Sequence, residues 1–300
     1  MSEGGWDADS DLLVNGFPPA ASTMQVQFGA ESRRGRSRGI NEDNYLVLEV
    51  GRHQQTLLTS LPETLVGRRF DEFGYAMVVA DGMGGTGTGD KASQLALATL
   101  VQLVRYYGRW NLRINERVAR EILDRAERFY RRVDSTITFE STTGPVPGLK
   151  TTLTATFGAG QDLFFAHVGH SRAYLLRDGD LMRLTRDHTL GHGRQTRVGM
   201  APLIDVNAGG RDLKHVLTGA MGMADPSSLK IDLERLRLRD GDLILVCTNG
   251  VTDALDESDI AKILRTSKPP GEQCRTLVDY AIDSDGQDDA TALIGHFHFP

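Results

Sequence analysis

One short stretch limits the possible folds of this chain more than any other. The apolar run from Tyr75 to Ala80 has the length of a buried strand, and it leads into Asp81 and the glycine-rich segment 82–85. Apolar residues then recur at helical spacing as far as Tyr107. A carboxylate at a strand end, followed by glycines that let the backbone approach a ligand, indicates a cradle for a hard cation. Asp-Gly pairs also form plain turns, so this interpretation needs support from the rest of the chain.

Short apolar runs and paired helical patterns make up the remaining sequence. Helices are predicted at about residues 115–133 and 273–282, in addition to the one that ends at Tyr107. Strands are predicted at residues 24–28, 45–49, 75–80, 151–158, 163–168, 171–176, 181–184 and 243–247, with a last strand that ends at Phe297. Because the helices do not alternate strictly with strands, the pattern favours antiparallel sheets covered by helices over a doubly wound parallel sheet.

Charge and cysteine content exclude several classes of protein. The 300-residue chain has a net charge of −6, which argues against a general nucleic-acid or membrane-surface binder. Cys247 and Cys274 have neither zinc-site nor disulfide spacing, which fits a reducing compartment. The segment from Met1 to Pro19 lacks the basic start and apolar core of a signal peptide, and no run is long enough to span a membrane. We expect a cytoplasmic monomer with a flexible lead over 1–22 and one domain over 23–300.

Acidic and amide side chains recur where apolar strands end and glycine-containing loops begin. They are Glu42, Asp81, Asn249, Asp253 and Asp288. Oxygen ligands of this kind suit Mg²⁺ or Mn²⁺, and two such ions bridged by one carboxylate can activate water and bind a phosphoryl group. Glu42 and Asp43 are adjacent before a strand, so at most one of them is expected to face a shared site.

Four arginines lie close together in this acidic chain, at positions 33, 34, 36 and 38. They form either a solvated loop or a clamp for phosphate oxygens, which suit the fork of the guanidinium group. Two further features receive simpler interpretations. His188 and His192 have the spacing of a helical zinc pair, but Gly191 and Gly193 make a helix unfavourable there. Residues 51–73 are polar and are expected to be an insertion between two strands of one hairpin.

Seven short motifs occur in an order that resembles a known family. They are Arg38-x-x-Asn-Glu42-Asp43, Asp81-Gly-Met-Gly-Gly85, Gly148-x-x-Thr151-Thr152, Val168-Gly-His-Ser171-Arg172-Ala-Tyr174, Leu184-Thr-Arg-Asp187-His188, Thr248-Asn-Gly250-x-Thr-Asp253 and Asp288-Asp-Ala-Thr291. With these motifs, the chain resembles the bacterial members of the type-2C family of metal-dependent protein phosphatases. The resemblance implies an α+β fold, in which helix pairs flank a β-sandwich of two antiparallel sheets. It also implies hydrolysis of phosphoserine and phosphothreonine in proteins that are substrates of a cognate kinase.

The resemblance further implies a role for each matching residue. Asp81 would bridge two Mn²⁺ or Mg²⁺ ions, and metal-bound water would attack the phosphorus directly. The Gly82 carbonyl and Glu42 would serve one ion, and Asp288, with Asn249 beside it, would serve the other. Arg38 would hold the substrate phosphate. Residues from about 190 to 225 would correspond to the family's variable flap, which influences substrate choice.

Two positions depart from the family pattern that the resemblance supplies. Asn249 and His170 replace aspartates, and with Asp253 they lie where bacterial relatives hold a third, weaker ion. An amide ligand brings no charge, so the affinity for the ion beside Asn249 should fall. His170 either biases the site toward Mn²⁺ or Zn²⁺ or is an ordinary polar residue at the rim. Asp289, where the family often has Asn, adds a negative charge beside Asp288.

Three functions are compatible with this sequence. The first is an active serine/threonine phosphatase, because Arg38, Glu42, Asp81 and Asp288 are all present. The second is a pseudophosphatase that binds phosphoproteins as a regulator, which Asn249 and His170 support. The third is a metal-dependent hydrolase of small phosphate esters, since the flap rather than the metal site would decide the substrate.

Overall fold

The computed structural model describes residues 24–62, 64–84, 87–109, 114–190, 216–223, 229–284 and 286–299. The strands are β1 (Gln25–Arg33), β2 (Asp43–Gln55), β3 (Arg69–Met83), β4 (Lys150–Thr151), β5 (Leu153–Ala159), β6 (Asp162–Val168), β7 (Arg172–Arg177), β8 (Asp180–Arg183), β9 (Asp232–Arg237), β10 (Leu243–Cys247) and β11 (Ala290–His298). The helices are α1 (Thr88–Tyr107), α2 (Glu116–Thr143), α3 (Asn249–Ala254), α4 (Glu257–Leu264) and α5 (Pro270–Ser284). The predicted lead over 1–22, His192 and most of the predicted flap lie outside the described residues.

Two antiparallel sheets face each other. One sheet has the strand order β1-β11-β10-β7-β8, and the other has the order β2-β3-β5-β6-β9, with β4 paired to the end of β3. Apolar side chains from both inner faces form the central core, including Met77 and Val79 of β3, Ile244 and Val246 of β10, and Phe297 of β11. The expected α+β fold of two antiparallel sheets is therefore confirmed.

Helices cover the outer faces of both sheets. Helices α1 and α2 bury a stripe that includes Ala96, Leu100, Val133 and Ile137 against the sheet that contains β3. Helix α2 begins after Asn115, whose side chain accepts a hydrogen bond from the Val118 amide at 2.9 Å. Helices α3, α4 and α5 pack against the other sheet through a second outer cluster. No helix in the described ranges has the length and apolar character needed to cross a membrane.

Residues 51–73 are not the insertion that the sequence suggested. Strands β2 and β3 pair continuously from Asp43 opposite Asp81 to Gln55 opposite Arg69, so only 56–68 connect the two strands. The prediction was wrong because this part of the hairpin is polar and exposed, and hydrophobic patterning cannot reveal it. The pattern also missed β9, whose residues are only half-buried, and the short helices α3 and α4.

A glycine in β1 allows a close contact between the sheet and α5. A Cβ atom added to Gly29 would lie 2.2 Å from the carbonyl carbon of Pro270 and 2.3 Å from the amide nitrogen of Gly271. These are backbone atoms at the start of α5, which cannot move without shifting the helix. Gly271 itself has open space, with no neighbouring atom within 4 Å of an added Cβ.

The two glycines provide a matched pair of substitutions. Gly29→Ala should lower the free energy of unfolding by about 1–3 kcal/mol, because the methyl group overlaps the backbone of α5. Gly271→Ala should be neutral or raise it by up to about 1 kcal/mol, since alanine is favoured over glycine in a helix. Urea denaturation of both variants measures the difference, and equal effects would contradict the described contact.

A buried histidine in β6 holds the segment that follows β8. The His167 ring donates from Nε2 to the Arg186 carbonyl at 2.9 Å, so its Nδ1 accepts from the Thr154 hydroxyl at 2.8 Å. Burial lowers the pKa of His167 to about 3, and the nearby His188 ring, 4.9 Å away between centroids, lowers it further. The native protein therefore keeps this imidazole neutral down to about pH 3.

This lowered pKa predicts a loss of stability in acid. In the unfolded chain a histidine has a pKa of about 6.5, so below that pH the unfolded state binds a proton that the folded state does not. The free energy of unfolding should fall by about 2 kcal/mol from this group between pH 7 and pH 5. His167→Gln should remove that part of the pH dependence. Urea midpoints at the two pH values test this, and an unchanged difference in the variant would contradict it.

Candidate active site

Strand register brings the acidic loop ends together at one end of the sandwich. Asp81, near the end of β3, pairs with Asp43 at the start of β2. Asp288 lies two residues before the start of β11, and Asn249 follows β10 as the first residue of α3. Because β10 and β11 are neighbouring antiparallel strands, the end of one and the start of the other lie side by side. The side chains in this region therefore come from both sheets.

Glu42 connects this region to the start of α1. Its Oε1 accepts a hydrogen bond from the Gly89 amide at 3.1 Å, and Gly87 at the N-cap offers no side chain of its own. The carboxylate thus caps the helix, where negative charge is also favoured by the helix dipole. Its Oε2 is buried and has no hydrogen-bond partner among the described residues, although Nη1 of Arg38 lies 3.5 Å away.

Two glycines bring α1 against the end of β3. A Cβ atom on Gly82 would lie 2.0 Å from the Gly89 carbonyl oxygen, and one on Gly89 would lie 2.6 Å from the Gly82 carbonyl and 2.7 Å from Cδ of Glu42. The space around the Gly82 carbonyl and the Glu42 carboxylate therefore exists only because positions 82 and 89 have no side chain. Gly89 was not singled out from the sequence, because its importance depends on this contact between two separate elements.

Asp81 and Asp43 are buried carboxyl groups that oppose each other's ionisation. Burial raises the pKa of Asp81 well above its usual range, and the charges of Asp43 and Asp288 raise it further. Burial likewise raises the pKa of Asp43 to about 8, although the hydroxyl groups of Thr248 and Thr291 each donate to its Oδ2 at 2.7 Å. The side chains of Glu42 and Asp43 have different partners, as expected, and the buried Asp43 contributes to the electrostatics of the site through its effect on Asp81.

Only one of the four clustered arginines reaches the site. Arg38 donates from Nη2 to Oδ1 of Asp288 at 2.6 Å, and its side chain is 38% exposed. The others bind elsewhere: Arg33 pairs with Glu31 and Asp279, Arg34 donates to the Gly39 carbonyl, and Arg36 pairs with Asp283. The cluster therefore spans the end of β1 and the surface loop after it, and of its four arginines Arg38 alone is placed to bind an anion at the site.

Asp289 fixes the loop that carries Arg38. Its Oδ1 accepts from the Gly35 amide at 2.8 Å, and its Oδ2 accepts from the Glu42 amide at 2.7 Å. The side chain thereby ties the start of β11 to both ends of the loop. Burial raises the pKa of Asp289, and these two amide donors act against the rise. Asp289 thus serves as an anchor as well as a charge beside Asp288.

Asn249 links two neighbouring carboxylates through its amide nitrogen. Nδ2 lies 3.0 Å from Oδ2 of Asp253 and 3.3 Å from Oδ2 of Asp288, while the buried Oδ1 has no hydrogen-bond partner among the described residues. An aspartate here would put a third carboxylate among the other two. On the opposite side, Nδ1 of the buried His170 lies 3.6 Å from Oδ2 of Asp81. Both departures from the family pattern thus place a nitrogen beside a retained carboxylate.

The residues at this end fit hard divalent cations. Within the described ranges, no three acidic, histidine or cysteine side chains are already gathered around one point, and the nitrogens of Arg38 and Asn249 bond to Asp288. The set nevertheless includes two oxygen atoms without a hydrogen-bond partner in the described part of the chain, Oε2 of Glu42 and Oδ1 of Asn249. A buried Asp81 with a raised pKa also gains most from a nearby positive charge. Such a donor set suits Mg²⁺ or Mn²⁺.

Most residues of this site are among those predicted from the sequence. Arg38, Glu42, Asp81, Asn249 and Asp288 lie at one end of the sandwich, with Gly82 at the cradle and with Asp253 and His170 at its sides. Three contributions were not predicted from the sequence: the charge of Asp43, the contact of Gly89, and the hydroxyl groups of Thr248 and Thr291. The threonines belong to quoted motifs, but their shared partner becomes visible only from the pairing of distant strands.

Comparison with known proteins agrees with the fold. A family model described as protein phosphatase 2C matches residues 65–279. The chain belongs to the protein phosphatase 2C family.

Individual relatives are bacterial. The serine/threonine phosphatase stp of Listeria monocytogenes is 29% identical over 272 residues, covering 90% of this chain and 95% of that protein. PstP, a serine/threonine protein phosphatase of Mycobacterium tuberculosis, is 27% identical over 276 residues, covering 92% of this chain but 46% of PstP. This chain therefore spans about half the length of PstP. A crystal structure of the PstP catalytic domain with two manganese ions has 25% identity and a TM-score of 0.67, with coverage of 92% and 100%.

The contacts of Asn249 predict how an acidic replacement would behave. Without added metal, Asn249→Asp should lower the free energy of unfolding by about 1–3 kcal/mol, because two hydrogen bonds to carboxylates become repulsions. With Mn²⁺ present, the third carboxylate should tighten binding of the ion by about tenfold, since affinity rises with ligand charge. Calorimetric titration and thermal unfolding with and without Mn²⁺ measure both effects. A variant that is stable without metal and binds it no better would contradict the described contacts.

Proposed function

We propose that this chain is a protein serine/threonine phosphatase that uses two Mn²⁺ or Mg²⁺ ions. The observation that carries the proposal is the convergence of Glu42, Asp81 and Asp288 around a partly exposed Arg38, on a protein phosphatase 2C fold. The relatives named as serine/threonine phosphatases, and the two manganese ions bound by PstP, support the same activity. The site gives no comparable support to the pseudophosphatase alternative, because its acidic residues and Arg38 are all in place.

Some residues of the site would bind the cations, and Arg38 would bind the substrate. Asp81 would lie between the two ions, with Glu42 and the Gly82 carbonyl toward one and Asp288 and Oδ1 of Asn249 toward the other. When bound, the ions would supply Lewis-acid stabilisation of the phosphoryl group and an activated water. Arg38 keeps donors available beyond those bonded to Asp288, so it can bind phosphoryl oxygens while Asp288 holds it in place.

The substrates would be phosphoserine and phosphothreonine side chains of proteins, produced by a cognate kinase within a signalling pathway. We infer a cytoplasmic monomer with one catalytic domain over residues 23–300. The net charge of −6 supports the absence of a nucleic-acid or membrane partner. The variable segment from about 190 to 225 would influence which phosphoproteins are accepted.

Hydrolysis of a phosphothreonine peptide tests the proposal directly. Wild-type protein should show turnover that depends on Mn²⁺ or Mg²⁺, and Asp81→Asn should lower kcat by about 10³-fold or more, because the bridging charge is lost. The variant should remain folded, since burial disfavours the charge that the substitution removes.

Asp178→Asn is the matched control. Asp178 lies in the β7–β8 turn with a positive φ of 52°, a conformation that asparagine tolerates, and its substitution should leave kcat unchanged. The phosphatase assignment would be contradicted if wild-type protein binds a phosphopeptide but shows no turnover with either ion. That result would favour a phosphoprotein-binding role. Full activity in Asp81→Asn would instead show that the active site does not depend on Asp81.

A further inference from the structure

A second histidine holds the turn that carries His170. Residues Gly169 and His170 lie between β6 and β7, and the Gly169 backbone has a positive φ of 120°. The amide of Gly169 donates to Nδ1 of His188 at 3.3 Å, and the His188 amide donates to the Gly169 carbonyl at 2.7 Å. The peptide groups on both sides of Gly169 are therefore held by one residue. A glycine in this conformation has no side chain to hold it, so these bonds fix the direction of the turn.

Asp232 fixes the orientation of the His188 ring. Because Nδ1 accepts from an amide, the neutral ring carries its proton on Nε2, which lies 3.1 Å from Oδ2 of Asp232. Asp232 is the first residue of β9, and its other oxygen lies 3.4 Å from Nζ of Lys230. His188 is buried and Asp232 is partly exposed, so this contact is partly shielded from solvent. The acidic group and the imidazole together form a support that the proposed chemistry does not otherwise use.

The turn at residues 169–170 places the His170 side chain beside Asp81. His170 is buried, and its Nδ1 lies 3.6 Å from Oδ2 of Asp81. The Asp81 backbone is fixed separately, since its carbonyl accepts from the Thr151 hydroxyl at 2.8 Å and from the Thr152 amide at 2.9 Å. The backbone of Asp81 is therefore held by Thr151 of β4 and by Thr152, which lies between β4 and β5, whereas the neighbourhood of its carboxylate depends on the turn at 169–170.

We propose that His188, oriented by Asp232, is a positioning residue that sets the distance between His170 and the Asp81 carboxylate, and so tunes cation binding at the site. This inference rests on the proposed function, because it assigns Asp81 to the cations. Groups of this kind, which touch no ion themselves, commonly change metal affinity by about 10- to 100-fold when removed.

Direct Mn²⁺ titration of the full chain by calorimetry tests the proposal without relying on turnover. His188→Ala should weaken Mn²⁺ binding by about tenfold, because the Gly169 turn loses its side-chain acceptor. His188→Asn should restore most of that affinity, since the amide oxygen can take the place of Nδ1 toward the Gly169 amide. Asp232→Ala should give an intermediate loss, because the ring remains but is no longer oriented.

Asp187→Asn separates positioning from simple destabilisation. Asp187 is the preceding residue, and it pairs with Arg172 at 2.8 Å without contacting the turn. This variant should lower the melting temperature, as His188→Ala does, yet keep the wild-type Mn²⁺ affinity. Equal losses of affinity in both variants would show that His188 is only structural and would overturn the proposal.

A double-mutant cycle tests whether His188 affects Mn²⁺ binding through His170. If His188 acts through His170, the effect of His188→Ala should shrink to less than about twofold in a His170→Ala background. An undiminished effect in that background would overturn the proposal. Wild-type protein that hydrolyses phosphopeptide with Mn²⁺, while His188→Ala binds the ion normally, would overturn this inference alone. Wild-type protein that neither binds Mn²⁺ nor hydrolyses phosphopeptide would overturn the proposed function together with it.

Discussion

Repulsion between carboxylates gathered at one end of the sandwich is the constraint on which this structure depends. Each carboxylate obtains its donors from a different part of the chain: Asp288 from Arg38 and Asn249, Glu42 from the start of α1, and Asp43 from two threonines at the ends of β10 and β11. The loops around the site are therefore held together by compensation of negative charge as much as by apolar packing. The same unfavourable burial raises the pKa of Asp81 and makes a divalent cation a favourable addition.

The fold was predictable from the sequence where burial is one-sided or complete. Strand β10 is buried along its whole length and was predicted at its observed bounds, and the paired helices were visible from their apolar stripes. The outer half of the β2–β3 hairpin was not predictable, because its exposed ladder is stabilised by backbone pairing and ion pairs such as Arg52 with Glu72. Apolar periodicity carries no signal for such pairing.

The site was predictable to the extent that its residues lie in short motifs next to strand ends. Arg38 was separable from its three neighbours only in the structure. Arg33 and Arg36 pair with Asp279 and Asp283 of α5, more than 240 residues away, and Arg34 donates to the Gly39 carbonyl. The role of Asp43 likewise depends on Thr248 and Thr291, which are distant in sequence. His188 was named in a family motif and as one half of an unfavourable zinc pair, but its partners, the Gly169 amide and Asp232, were not predicted. Contacts of this kind follow from strand register, which local sequence does not encode.

The two oxygens of Glu42 have separate neighbours, and this complicates any experiment at that position. One oxygen holds the first turn of α1, and the other lies 3.5 Å from Nη1 of Arg38 and has no hydrogen bond from any residue that the structure describes. Removing the carboxylate would therefore fray the helix and deplete the site in a single step, so a loss of activity could not be assigned to ligand chemistry alone. The amide exchange rate of Gly89 offers an internal gauge, because it reports the state of the cap independently of turnover.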